Sequence, residues 1–140
     1  MKKYARRWSG LILAALCLIM TVSAGAVTMP EAERVEPRYV TLTDFEAELS
    51  IGSGGRSTCT GTVRLRSGYN ADVTMELQQK DGSRWETIQD WSDSGRRVTL
   101  NHSWYVESGY DYRVKLSAEV TDSNGRVVEQ PVTYSSVESY

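Results

Sequence analysis

Between Tyr110 and Val120 every second residue is apolar: Tyr110, Tyr112, Val114, Leu116, Ala118 and Val120 alternate with Asp111, Arg113, Lys115, Ser117 and Glu119. A period of two sends successive side chains to opposite faces of an extended chain, so this segment reads as a strand with one face on a core. The texture recurs upstream. From Tyr39 to Ile51, Phe45, Ala47, Leu49 and Ile51 share one face, and Asp44, Glu46, Glu48 and Ser50 share the other. From Arg56 to Arg66, Ser57, Cys59, Gly61, Val63 and Leu65 oppose Thr58, Thr60, Thr62, Arg64 and Arg66. A third segment, Ala71 to Lys80, turns Val73, Met75 and Leu77 inward, and a fifth, Arg97 to Val106, aligns Val98, Leu100, His102, Trp104 and Val106.

The fourth segment, Arg84 to Trp91, breaks the rhythm. Its large apolar residues Trp85, Ile88 and Trp91 are spaced by three. A bulged strand or a short helical turn reconciles that spacing, and the bulged strand is the reading adopted. The last segment, Arg126 to Tyr134, contains Pro131, which cannot donate to a ladder, so it lies at an edge or breaks there. Turn chemistry separates the segments. Gly52-Ser53-Gly54-Gly55, Ser94-Gly95 and Ser108-Gly109 end strands, while Asp81-Gly82 and Asn124-Gly125 predict tight hairpins. Strands with a turn signal every 8 to 12 or so residues point to an all-β two-sheet sandwich; a small barrel satisfies the same pattern.

A different pattern precedes the strands. Lys2, Lys3, Arg6 and Arg7 form a positive region, Leu11 to Met20 is uncharged and apolar, and Ala24-Gly25-Ala26 offers small residues to a signal peptidase. Residues 1–26 therefore read as a signal-peptide helix, cleaved after Ala26, or after Ala24 as the near alternative. The apolar run is too short for the roughly 20 residues that a spanning helix needs. Leu16 before Cys17 does not fit a lipobox, where a small residue is required. Residues 27–37, with two prolines and three glutamates, read as a flexible linker, and 38–140 as the folded domain.

Removing the leader changes the electrostatics. Twelve Lys and Arg then face eighteen Asp and Glu, a net charge near −6. Nucleic acid and anionic membrane surfaces demand basic patches and are disfavoured, with membrane contact limited to passage of the signal peptide. Cys59 is left as the sole cysteine, so no intrachain bridge forms. It falls on the apolar face of its strand, where a free cysteine packs as a small hydrophobe.

Chemistry is hard to assemble. His102 is the only histidine and lies in line with Leu100 and Trp104, the pattern of a packed or strand-edge residue. No G-x-S-x-G elbow occurs, and His102 and Cys59 alone cannot ligate zinc. A carboxylate pair for glycoside hydrolysis is the one catalytic arrangement the composition leaves open. The acidic runs at Asp90–Asp93 and from Asp122 fit turns rather than calcium loops. No enzyme activity, cofactor or metal is expected. Aromatic residues remain. Trp85 and Trp104 are read as core. Tyr69 in a loop, Tyr105 facing away from Trp104, and Trp91 are the candidate binding residues for a sugar or protein partner.

Several of these pieces occur in a characteristic order. A leader precedes the cysteine-bearing strand Ser57-Thr58-Cys59-Thr60-Gly61. The hairpin Leu77-Gln78-Gln79-Lys80-Asp81-Gly82-Ser83-Arg84-Trp85 follows, then Trp91 before a Ser-Gly turn, and finally Ser108-Gly109-Tyr110-Asp111-Tyr112-Arg113-Val114. The last run resembles the opening of the sixth strand in fibronectin type III and related sandwiches, where a tyrosine hydroxyl bonds back across the corner; Tyr112 is the candidate. The whole resembles a family of small exported proteins of unknown function from Gram-positive bacteria. The seven segments predict a single seven-stranded antiparallel sandwich, immunoglobulin- or fibronectin-III-like; the likeness supports that fold and a product secreted or held at the cell envelope, and implies no activity. The expected function is a non-enzymatic module for an extracellular protein or a cell-wall glycan. The alternative is a structural subunit that assembles through strand edges or Cys59, and the last reading is a small secreted enzyme or toxin.

Overall fold

The computed structural model describes residues 38–140; the segments read as a leader, 1–26, and as a linker, 27–37, lie outside the described residues. Among those described there are nine strands and no helix. They are β1 (Leu42–Ile51), β2 (Arg56–Leu65), β3 (Asn70–Asp81), β4 (Arg84–Gly95), β5 (Arg97–Tyr105), β6 (Asp111–Thr121), β7 (Val127–Glu129), β8 (Val132–Tyr134) and β9 (Glu138–Ser139). The smaller sheet has the order β1-β2-β5. The larger runs β4-β3-β6-β7, with β8 and β9 also paired to β6, and all pairings are antiparallel.

The count exceeds seven because the final segment divides. Pro131, fully buried, separates β7 from β8, and its carbonyl accepts the Ala118 N–H at 3.1 Å. The pair Glu138–Ser139 then returns to Asp111 and Tyr112 as β9. The hairpin after β3 also closes one residue later than expected: Asp81 pairs with Arg84, so the two loop residues are Gly82 and Ser83, with Gly82 at φ +60°. The Asn124-Gly125 signal marks a longer loop. Asp122 Oδ1 accepts the N–H groups of Asn124 and Arg126, and Gly125 takes positive φ, the usual three-residue alternative to a two-residue turn.

The core forms where the inward faces of the sheets meet. Cys59, Val63, Met75, Leu77, Tyr112, Val114, Leu116 and Val120 have no exposed surface. Gly61 packs closely against the facing sheet. A Cβ there would lie 2.7 Å from Leu116 Cδ1 and 3.2 Å from Met75 Sδ. At the end of the strands, Tyr112 Oη donates to the Glu107 carbonyl at 2.6 Å and ties the β5–β6 connection to the core.

The fourth strand carries a bulge. Leu77 pairs with Gln89 and Gln78 with Thr87, so Ile88 is the extra residue. The bulge shifts the inside–outside phase of β4 between Trp85 and Trp91, which explains their odd spacing. Gly95 and Arg96 carry the chain from the larger sheet to the smaller.

Candidate functional site

The outer face of the larger sheet holds a partly exposed cation–aromatic cluster. The register places Trp85 beside Lys80, and Gln78 beside both Thr87 and Arg113. On the far side of β6, Tyr134 pairs with Lys115. The Arg113 guanidinium lies 4.2 Å from the Trp85 ring centroid and 4.2 Å from that of Tyr134, and Lys80 Nζ approaches Trp85 to 5.9 Å. Cation–aromatic contacts of this kind each contribute about 0.5–1 kcal/mol at exposed sites.

A line of polar contacts fixes this ladder of Trp85, Arg113 and Tyr134. Arg113 Nε donates to Gln78 Oε1 at 2.8 Å, Gln78 Nε2 reaches Thr87 Oγ1 at 3.5 Å, and Thr87 Oγ1 donates to Glu76 Oε1 at 2.7 Å. Lys115 Nζ closes the line on Glu76 Oε2 at 2.7 Å. Partial burial pushes the Glu76 carboxyl up, but the hydrogen bonds from Lys115 and Thr87 and the Lys115 charge outweigh it and hold the group below its ordinary value. Such a connected network restrains each member through the next.

Beside the ladder the same face sinks into a shallow groove of about 410 Å³ lined by Asp72, Thr74, Ser117, Glu119, Gln130 and Val132. Asp72 and Glu119 are directly opposed across β3 and β6, and both are exposed. Glycoside hydrolysis needs one of two carboxyls kept protonated by a crowded or apolar site. Here the groove is open, and Gln130 Nε2 donates to Glu119 Oε2 at 3.2 Å.

Tyr69, Trp91 and Tyr105 do not come together. Tyr69 precedes β3, beyond the Leu65 end of β2, and packs partly against the core. Tyr105 pairs with Arg56 at the other end of β2 and is 72% exposed. A ten-residue strand spans about 33 Å, so the two tyrosines occupy opposite ends. Trp91 lies between them and is half-buried. Its ring stacks on His102 with centroids 4.9 Å apart and planes at 3°, joining β4 to β5 where the two sheets meet.

Two tryptophans read as core are placed otherwise. Trp85 stands on the outer face within the ladder. Trp104 continues the inward line of Leu100 and His102, but it lies at the end of β5, where the facing sheet no longer covers it, and is 42% exposed. The sequence held a signal for Trp85: inward Leu77 makes Lys80 outward, and counting through the hairpin turns its partner outward too. Cys59 is fully buried, and burial pushes its thiol pKa up against the lowering effect of Ser57. Among the described residues no three potential ligands cluster as a metal site, and no helix is long and apolar enough to cross a membrane.

No protein-family model and no curated protein matches the chain.

Proposed function

We propose that the chain is an exported, non-enzymatic interaction module that recognises a protein or a glycan outside the membrane through the outer face of its larger sheet. The observation that carries this reading is the Trp85–Arg113–Tyr134 stack. Trp, Tyr and Arg are the residues that dominate binding energy at interfaces, and here all three are held in place before any partner arrives. The groove with its small hydroxyl and carboxylate side chains adjoins the stack and supplies hydrogen-bonding groups on the same face.

The domain is read as fibronectin-III-like. The order β1-β2-β5 against β4-β3-β6-β7, and the Tyr112 hydroxyl bound to a carbonyl five residues upstream, support that type. Export rests on the leader at 1–26, and the likeness to small exported Gram-positive proteins accords with a product released or kept at the envelope. A structural subunit is the alternative reading, supported by the exposed valines of the divided last strand, Val127, Val128 and Val132.

Residues 27–140, immobilised with Cys59 retained, should capture a defined protein or wall glycan from the envelope or medium of the producing cell. Trp85→Ala and Tyr134→Ala should abolish capture while leaving a cooperative thermal transition, and Tyr105→Ala should bind as the parent does. Undiminished capture by both ladder variants would refute the assignment of this face.

A further inference from the structure

β5 is an edge strand without the usual protections. Among the described residues it pairs only with β2, in unbroken register from Arg97 to Tyr105; it contains no proline, glycine or acidic residue, and its one charged side chain, Arg97, stands at its start. The other edges are blunted in ways that discourage strand addition. β4 is bulged at Ile88 and carries Glu86, Asp90 and Asp93. β1 is irregular between Leu42 and Asp44 and carries Asp44, Glu46 and Glu48. β7 and β8 are three residues each, separated by Pro131.

The free backbone groups of β5 can be assigned. The Arg96 carbonyl accepts from Leu65 N–H, the Trp104 carbonyl accepts from Ser57 Oγ, and Val106 N–H donates to the Gly55 carbonyl, so even-numbered residues aim their backbone groups at β2. In an antiparallel ladder alternate residues point oppositely. Arg97, Thr99, Asn101, Ser103 and Tyr105 therefore present N–H and C=O groups at the open edge.

We propose that β5 pairs with β5 of a second copy across a two-fold axis at Asn101, fusing two three-stranded sheets into one of six strands. This register keeps all nine residues paired and makes the odd-numbered residues the hydrogen-bonded pairs; a shift of two residues in either direction leaves ends unpaired. It sets Arg97 against Tyr105, Thr99 against Ser103, and Asn101 against itself. On the inward face Val98 meets Trp104 and Leu100 meets His102. Aromatic residues thus face a β-branched residue or a guanidinium, hydroxyl faces hydroxyl, and no like charges are opposed in a chain that is acidic overall. The pairing covers Trp104 and Tyr105, which are exposed in the single chain. The contact is self-complementary, as a two-fold interface requires.

The test uses the chain as the expressing cell delivers it, in sedimentation equilibrium from micromolar to millimolar concentration. A doubling of mass is expected. Asn101→Lys opposes two like charges at the axis and should return the mass to that of one chain. Asn101→Pro removes an edge N–H without touching the β2 ladder and should do the same, with circular dichroism confirming the fold. Register is read by cysteine substitution. Hydrogen-bonded partners have Cα atoms about 5.5 Å apart, within disulfide reach, so Asn101→Cys should give a covalent dimer under mild oxidation. Ser103→Cys should not, because its two copies lie roughly 14 Å apart. A single-chain mass throughout, an unaltered dimer for both Asn101→Lys and Asn101→Pro, equal bridging by Ser103→Cys, or a parent dimer that reductant dissolves would each overturn the proposal.

Discussion

Replacing Tyr112 with Phe isolates one hydrogen bond. The ring has no exposed surface, and Phe preserves nearly all of its volume, so the apolar burial survives. What disappears is the 2.6 Å bond from the hydroxyl to the Glu107 carbonyl, leaving that acceptor without its partner. Glu107 is exposed, so water can take the place of the lost donor, and the loss costs about 0.5–1.5 kcal/mol. Taking about 1 kcal/mol, a domain of this size should melt roughly 5 °C lower, and its urea midpoint should fall with the slope unchanged. The alkaline limb supplies an independent check. Burial, the largest influence, raises the phenol pKa above its ordinary value of 10.0, partly opposed by the Glu107 carbonyl. The unfolded chain then ionises first, so this contribution to stability is complete below about pH 10 and is lost as pH rises through the folded value. The stability gap between parent and variant should therefore narrow above pH 10. Coincident urea midpoints at pH 7, or a gap that widens with pH, would refute the reasoning.

Gly61→Ala pushes a methyl against Leu116 and Met75 and should cost about 1–3 kcal/mol by urea denaturation, with Gly61→Val worse. The Cys59 thiol should resist a thiol-specific reagent in the native protein at pH 8 and react fully in denaturant; rapid native labelling would contradict its burial. Glu76→Gln should lower stability by up to about 1 kcal/mol at pH 7. The Glu76 carboxyl lies below its ordinary value of 4.5, so its contribution is present above that pH and lost as pH falls through the folded value. Parent and variant should accordingly converge as pH falls below the ordinary carboxyl value, as read from acid-unfolding curves.

Elements whose two faces differ in polarity were legible from the chain. The alternation in β6 leads directly to the buried line of Tyr112, Val114, Leu116, Ala118 and Val120. The Cys59 side of β2 is equally clear. The candidate site was not legible in the same way, because it depends on phase and on partners distant in sequence. The bulge at Ile88 puts Trp85 and Trp91 on opposite faces, and the spacing announced it without locating it. Arg113 looks like an ordinary outward charge until Gln78, Trp85 and Tyr134 are brought around it by β3, β4 and β8. Trp104 obeys the alternation and is nevertheless exposed, since period two reports direction and not whether anything lies opposite.

The two ends of the described chain are anchored at opposite poles. Near the start, the Glu129 carboxylate accepts the Val40 N–H at 2.8 Å and also the Thr41 hydroxyl. At the finish, Tyr140 N–H donates to the Tyr110 carbonyl, and its hydroxyl reaches the Ser53 carbonyl beside the β1–β2 turn. A pull between these ends runs along the strands. The hydrogen bonds joining β1 to β2 then share the load in shear and do not break in succession, so a domain held at one end and tugged at the other should resist force better than its thermal stability alone would suggest.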